Sequence, residues 1–517
     1  MDIVTAKSWL DGIAAANLTG LLLERAPDLS RRFASCDDRR EFTYGGFWKL
    51  SGQQAQALLA LGAKRGDRIA VQVEKSIEAL ALFWACARAG LIYLPLNPAY
   101  TAAEVSYFLK DAEPRIFVAT PQRLAELAGP AKAAGAAMLS LDDAGGGSLC
   151  DAAALHDGVI AAAPCGWDDI AAILYTSGTT GRSKGAMLSH GNLASNALAL
   201  ASVWQFTRAD RLLHALPVYH THGLFTATNT VMFSGGALLF RRKFSAEDVL
   251  AVLPHATAMM GVPTFYSRLL QHGGLTREAT AHIRVFICGS APLLAEMHAA
   301  FERRTGHAIL ERYGMTETSM NTSNPYIGKR PAGSVGFALP HVEVKISDPA
   351  SGQGLGPGID GMIEVRGPNV FKGYWRNPEK TAEDMRPDGF FITGDLGRID
   401  LDGTLVISGR AKDLVITGGF NVYPREVEEL IDAMQGVRES AVIGLPHADF
   451  GEAVAAVIAM DGEQKLAEDA VIASLRQGLA AYKVPKRVFF VDDLPRNPMG
   501  KVQKAELRKH YSQTFQK

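Results

Sequence analysis

Tyr175-Thr-Ser-Gly-Thr-Thr-Gly-Arg-Ser-Lys-Gly185 decides how the rest of the chain is read. It follows an apolar run, Ile170-Ala-Ala-Ile-Leu-Tyr175, with the character of a buried strand. A loop rich in glycine and hydroxyl side chains at the end of a strand offers free backbone N–H groups and O–H donors. With Arg182 and Lys184 added, it can take up a polyphosphate that leaves water. The stretch is not a Walker A loop, because glycine stands at 181 and Lys184 is followed by Gly185.

The bulk numbers narrow the setting. A chain of 517 residues is too long for one compact core, so two or more domains are expected. Hydrophobic residues make up 47% and charged residues 21%, a balance that excludes disordered and fibrous classes. A net charge of −1 gives no field toward nucleic acid or an anionic membrane, and neither is expected as a partner. The cysteines at 36, 86, 150, 165 and 288 are odd in number and lack metal-ligand spacing, which fits reduced thiols in a cytoplasmic protein. The N-terminus has neither the basic start nor the apolar core of a signal peptide. The apolar stretch Ser76–Leu96 is broken by Glu78, Arg88 and Pro95, so it reads as a buried helix followed by a strand, not a membrane span.

Short β-branched runs (67–73, 115–119, 285–288) alternate with Ala/Leu-rich helical stretches, which predicts an α/β fold of layered, mostly parallel sheets. Residues 361–366 and the turn at Asp402-Gly403 suggest a small β-subdomain. The character changes near residue 410. A helix opened by Pro424 and strand candidates at 440–444, 453–459 and 488–491 predict a second, small α+β domain of about 100 residues.

Four further motifs follow the 175–185 loop: Tyr313-Gly-Met-Thr-Glu-Thr318, Phe391-Ile-Thr-Gly-Asp395, Gly409-Arg-Ala-Lys-Asp413 and Pro498-Met-Gly-Lys501. In this order they resemble the adenylate-forming superfamily of acyl- and aryl-CoA synthetases, luciferases and peptide-synthetase adenylation domains. Within it, 214–225, 310–325 and Phe371-Lys-Gly-Tyr-Trp375 are most similar to bacterial malonyl- and methylmalonyl-CoA synthetases. The resemblance implies a large N-terminal domain, 1–409, and a mobile C-terminal lid, 410–517. The implied reaction joins a small dicarboxylate to CoA through an acyl-AMP, with ATP, Mg²⁺ and coenzyme A as cofactor and co-substrates. Site roles are implied as follows. Thr176, Ser177, Gly178, Thr179, Thr180 and Lys184 hold phosphates. Ser290, Ala291, Tyr313 and Thr316 surround the nucleotide, and Asp395 grips the ribose hydroxyls with Arg410 beside it. Glu317, with Thr176, holds the metal. His220 flanks the reacting carboxylate, and Lys501 spans it and the α-phosphate. Lys412 is the hinge, and Gly418 and Gly419 meet CoA. Members of this kind are switched off by acetylation of the catalytic lysine, so an acetyltransferase and deacetylase acting on Lys501 are implied partners.

His222, two residues past His220, points to a polar acyl pocket. The second carboxylate of a dicarboxylate needs a buried cation. Arg284, before the strand that leads to Gly289-Ser-Ala-Pro292, is the first candidate, with Arg268 and Arg241–Lys243 as fallbacks. His222 and Met315 are expected to complete the wall, with Met315 limiting acid length. Competing readings are a medium-chain or aryl acyl-CoA synthetase, an adenylation module that loads a carrier protein, and a degenerate nucleotide-binding regulator.

Overall fold

A computed structural model describes residues 17–25, 28–176, 183–417, 420–447, 449–461, 466–497 and 500–515. Two sheets carry the N-terminal part. In the first, six neighbouring strands run parallel in the order 310–315, 285–288, 258–261, 211–214, 237–240, 32–36. Antiparallel strands 319–323 and 337–338 extend one edge, and 41–43 the other. The second sheet has the order 137–140, 116–119, 68–72, 92–95, 170–176, 184–189, parallel except for its last pair. Strands such as Ile116–Ala119 and Val285–Cys288 are buried at every residue, as expected where helices cover both faces of a parallel sheet.

The apolar stretch at 76–96 folds as read. Ser76 caps the helix Ile77–Ala89 by accepting from the Ala79 amide, Gly90 ends it at φ 70°, and Ile92–Pro95 is a buried strand. That helix is buried along its whole length and packs in the largest apolar cluster of the molecule. The expected β-subdomain is an antiparallel sheet, 343–347, 361–366, 391–399, 405–410.

After a single 3₁₀ turn, Ala411–Asp413, the chain builds a separate sheet from 415–417, 420–422, 437–447, 451–460 and 487–491, flanked by helices Pro424–Asp432, Glu468–Leu475 and Lys504–His510. Pro424 opens its helix at the first turn. This part has apolar cores of its own around Val427, Ile458 and Val471, and around Ile443 and Val457. All five cysteines are free. Among the described residues, no helix is long and apolar enough to cross a membrane.

Candidate active site

The C-terminal ends of parallel strands face one crevice, where open α/β sheets place ligands. The strand Ile170–Thr176 delivers Thr176 there, and the return strand Lys184–Ser189 pairs with it antiparallel, Thr176 against Lys184. Of the expected phosphate-binding stretch, Ser177, Gly178, Thr179 and Thr180 lie outside the described residues, as do Gly418 and Gly419. Lys184 holds its ammonium 5.0 Å from the centre of the Tyr374 ring.

Around that strand pair, several of the side chains expected at the nucleotide meet one another. Tyr374 donates its hydroxyl to Glu317 Oε1 (3.2 Å), and Thr176 Oγ1 lies 3.4 Å from the same oxygen. Glu317 is buried, and desolvation raises its pKa. A dry carboxylate ringed by hydroxyls fits a magnesium site, because a divalent cation would hold it ionised. Glu317 does not begin a helix: the chain runs from Met315 through a turn into the strand Ser319–Ser323. Thr316 lies in that turn. Tyr313 donates to Asp395 Oδ2 at 2.6 Å, while Arg410 Nε holds Oδ1 at 2.7 Å. Asp395 thus sits between a phenol and a guanidinium, with Tyr313 and Asp395 both buried.

The acyl side is built differently. His214-Ala-Leu-Pro-Val-Tyr-His-Thr-His-Gly-Leu-Phe225 leaves a strand end and enters a π-helix, His222–Ala227, continued by the helix Thr228–Ser234. The His222 amide donates to His220 Nδ1 (3.3 Å), so a neutral His220 carries its proton on Nε2. Burial, with Lys501 and Arg312 nearby, pushes the His220 pKa down to about 3 and keeps the ring neutral. His222 Nδ1 shares a hydrogen bond of 3.2 Å with Ser290 Oγ. Ser290 holds φ 73° in the loop after strand Val285–Cys288, a strained backbone of the kind found at sites. Ala291 follows in the same loop, and Met315 is half-buried at the end of its strand.

Arg284 does not belong to this pocket, which corrects the expectation. It precedes strand 285–288, at the end opposite the loop. Its Nε pairs with Asp210 Oδ1 (2.6 Å), its Nη1 donates to the Trp204 carbonyl, and its guanidinium stacks near Phe206 and Tyr326. The fallback cluster is also committed, Arg241 to Asp248 and Arg242 to Asp37. The cation at the pocket is Arg312, which the sequence reading passed over. It follows Glu311, the residue paired with Cys288 across parallel strands, so it emerges beside Gly289. A Cβ on Gly289 would lie 2.5 Å from the Arg312 guanidinium carbon. Arg312 is 3% exposed, its Nε and Nη2 have no partner among the described residues, and burial pushes its pKa down to about 10. The signal was its place in Leu310–Met315: a cation in an otherwise buried strand, one residue before Tyr313.

The C-terminal part comes close to the N-terminal part at two glycines. A Cβ on Gly500 would lie 3.7 Å from Thr264 Cγ2, and one on Gly333 would lie 3.9 Å from Arg425 Nη2. Lys501 is exposed as a residue, yet its pKa is lowered, first by desolvation of its ammonium and then by Arg410. Arg312, Asp395 and Glu317 also act on it. Lys412 lies in the 3₁₀ turn between the two parts.

With that geometry in hand, the profile described as AMP-binding enzyme matches residues 23–375, and that of the AMP-binding enzyme C-terminal domain matches 426–501. The chain belongs to the AMP-binding enzyme family. Among solved structures, this AMP-binding enzyme is similar to ATP-bound MatB from Rhodopseudomonas palustris, at 55% identity and TM-score 0.95, covering 96% of this chain and 99% of that one. Against apo MatB the TM-score is 0.85, so the arrangement here is nearer the ATP-bound form. Among curated relatives, the malonate–CoA ligase of Arabidopsis thaliana is 34% identical over 89% of this chain and 80% of its own length. A feruloyl-CoA synthase from Amycolatopsis is 35% identical over 91% and 94%.

Proposed function

We propose that this chain is an AMP-forming acid–CoA ligase that converts malonate, and by the same chemistry methylmalonate, to its CoA thioester. The observation that carries the substrate class is Arg312, a buried guanidinium near His222 whose Nε and Nη2 have no partner among the described residues. Leaving such donors dry and unpaired is costly, and a second carboxylate would satisfy them. The malonate–CoA ligases and MatB among its relatives support the same reading. The feruloyl-CoA synthases favour an aryl acid, but an aryl ring would leave Arg312 unpaired.

In the first half-reaction the carboxylate attacks the α-phosphate of ATP and expels pyrophosphate. Neutral His220 presents Nε2–H to the acid without adding charge, and Lys501 bridges the attacking oxygen and the α-phosphate. Asp395 accepts from the ribose hydroxyls while Arg410 and Tyr313 hold it in place. Ser290 and Ala291 flank the nucleotide, and Thr176 and Lys184 face its phosphates. Mg²⁺ on Glu317 and Thr176 would neutralise phosphate charge. In the second half-reaction the CoA thiolate displaces AMP, after the lid, which we start at Arg410, has turned about Lys412. We place the enzyme in the cytosol, and acetylation of Lys501 by a protein acetyltransferase would silence the first step by removing its charge.

Pyrophosphate release measured over malonate, methylmalonate, butyrate and ferulate tests the reading. Wild-type enzyme prefers the dicarboxylates. Arg312→Met lowers kcat/KM for malonate roughly 10²-fold and leaves butyrate unchanged or faster. A wild-type preference for butyrate or ferulate overturns the assignment.

A further inference from the structure

Lys75 is buried at the core of the N-terminal part, a costly place for a primary amine. It has three hydrogen-bond partners: His214 Nδ1 at 2.8 Å, the His214 carbonyl at 2.9 Å and the Arg241 carbonyl at 2.8 Å. Burial pulls the Lys75 pKa well below its usual value, while the three acceptors match the three donors of the protonated amine. Its Nζ also lies 4.3 Å from the centre of the Phe240 ring, which favours the charged form. Because His214 Nδ1 accepts from Lys75, the neutral imidazole carries its proton on Nε2. That nitrogen lies 2.9 Å from the Gly223 carbonyl, and Thr228 Oγ1 donates to the same oxygen at 2.9 Å.

Gly223 is the second residue of the π-helix that begins at His222. A π-turn trades the usual i→i+4 bonding for wider i→i+5 bonding, and it is a rare, less stable turn that extra donors on its carbonyls help to hold. The backbone at Gly223 packs closely on the Pro217 carbonyl: a Cβ there would lie 2.1 Å from that oxygen. We infer that Lys75 and His214 are positioning residues, which hold the π-turn through the Gly223 carbonyl so that His222 keeps its place against Ser290 beside Arg312. This rests on the reading of His222 and Arg312 as the acyl pocket. Neither Lys75 nor His214 touches substrate in this scheme. They act through the backbone of the residue next to His222.

The test measures KM for malonate and for ATP separately in Lys75→Met, His214→Phe, His214→Gln and Thr228→Val. A glutamine can accept from Lys75 with its carbonyl and donate to Gly223 with its amide, whereas phenylalanine can do neither. The expected result is a malonate KM raised about tenfold in Lys75→Met and His214→Phe, with ATP KM within about twofold of wild type and His214→Gln close to wild type. Thr228→Val, which removes one hydroxyl and keeps the side-chain shape, raises malonate KM about two- to threefold. Equal KM values in His214→Phe and His214→Gln overturn the inference, as does a parallel rise for malonate and ATP. If Lys75→Met fails to fold, the His214 pair and Thr228→Val decide alone. If Arg312→Met is selective for malonate while these variants are silent, the pocket reading stands and this inference falls. If Arg312→Met is itself unselective, the pocket reading is what failed.

Discussion

The nucleotide side and the acyl side of the crevice are wired in opposite ways. Around the nucleotide, Asp395 is held by both Tyr313 and Arg410, and Glu317 accepts from Tyr374. Around the proposed acid site, Arg312 Nε and Nη2 and His222 Nε2 have no partner among the described residues. In the function proposed above, the first arrangement orients groups that hold ATP, and the second leaves a demand for negative charge that selects the acid. Generality follows from internal pairing and discrimination from its absence.

The largest effect should come from the residue that reaches both sides. Lys501→Ala is expected to slow acyl-AMP formation by roughly 10²-fold or more. Supplying preformed malonyl-AMP with CoA should recover most of the thioester rate, because the lid turns away for that step. Equal loss in both half-reactions, measured by single-turnover assays, would erase the idea that one cation serves the junction. On the nucleotide side, Tyr313→Phe removes one of two supports from Asp395. ATP KM should rise about three- to tenfold with malonate KM unchanged. A malonate-specific effect would break the division of labour drawn above.

Lys412→Pro sharpens the comparison in time instead of space. Fixing φ in the 3₁₀ turn should leave pyrophosphate release nearly intact and slow thioester formation about tenfold or more, read by separate assays of the two half-reactions. Unchanged rates in both would move the pivot elsewhere.

The smallest effect concerns proton balance. Burial holds Glu311 up to about 7 from 4.5, while His220 and His214 are pushed down to about 3 from 6.5. Between pH 4.5 and 7 folded Glu311 carries a proton that the unfolded chain has lost, so its contribution to stability disappears as pH rises through that window. The histidines work the other way: the unfolded chain gains their protons below pH 6.5, and stability falls as pH drops toward 3. Glu311→Gln removes the first slope alone. Relative to wild type its Tm should improve by roughly 2–4 °C on going from pH 5 to pH 8, in thermal melts across that range.

Much of this could be read from the chain because the deciding features are local. The 170–176 strand, the helix at 77–89 with its Ser76 cap and Gly90 stop, and Pro424 at a helix start each declare themselves within a few residues. Lys501, Glu317, Asp395 and His220 were proposed from motifs, and in the structure Lys501 lies near enough to Asp395, Glu317 and His220 for their charges to act on one another. Arg284 was misplaced because adjacency to a strand does not say which end of a parallel sheet holds the ligand. It precedes the strand, and the site follows it. Arg312 was hidden by sitting inside a strand that read as core. Lys75 and His214 were invisible for a different reason, since they meet across 139 positions of sequence.

The lid's last helix bears on how the machine turns. Arg508, on Lys504–His510, is paired with Asp413 at the end of the 3₁₀ turn, and Lys504 is paired with Glu428 on Pro424–Asp432. If the C-terminal part turns about Lys412 as proposed, this pair would tether Asp413 to it and confine the swivel to the two or three peptide units before Asp413. Lys501 lies only three residues ahead of Lys504, so the tether joins the axle to the tool. Withdrawal of the ammonium from the first reaction and presentation of a new face to the second would then be a single stroke, with no moment at which one has happened without the other.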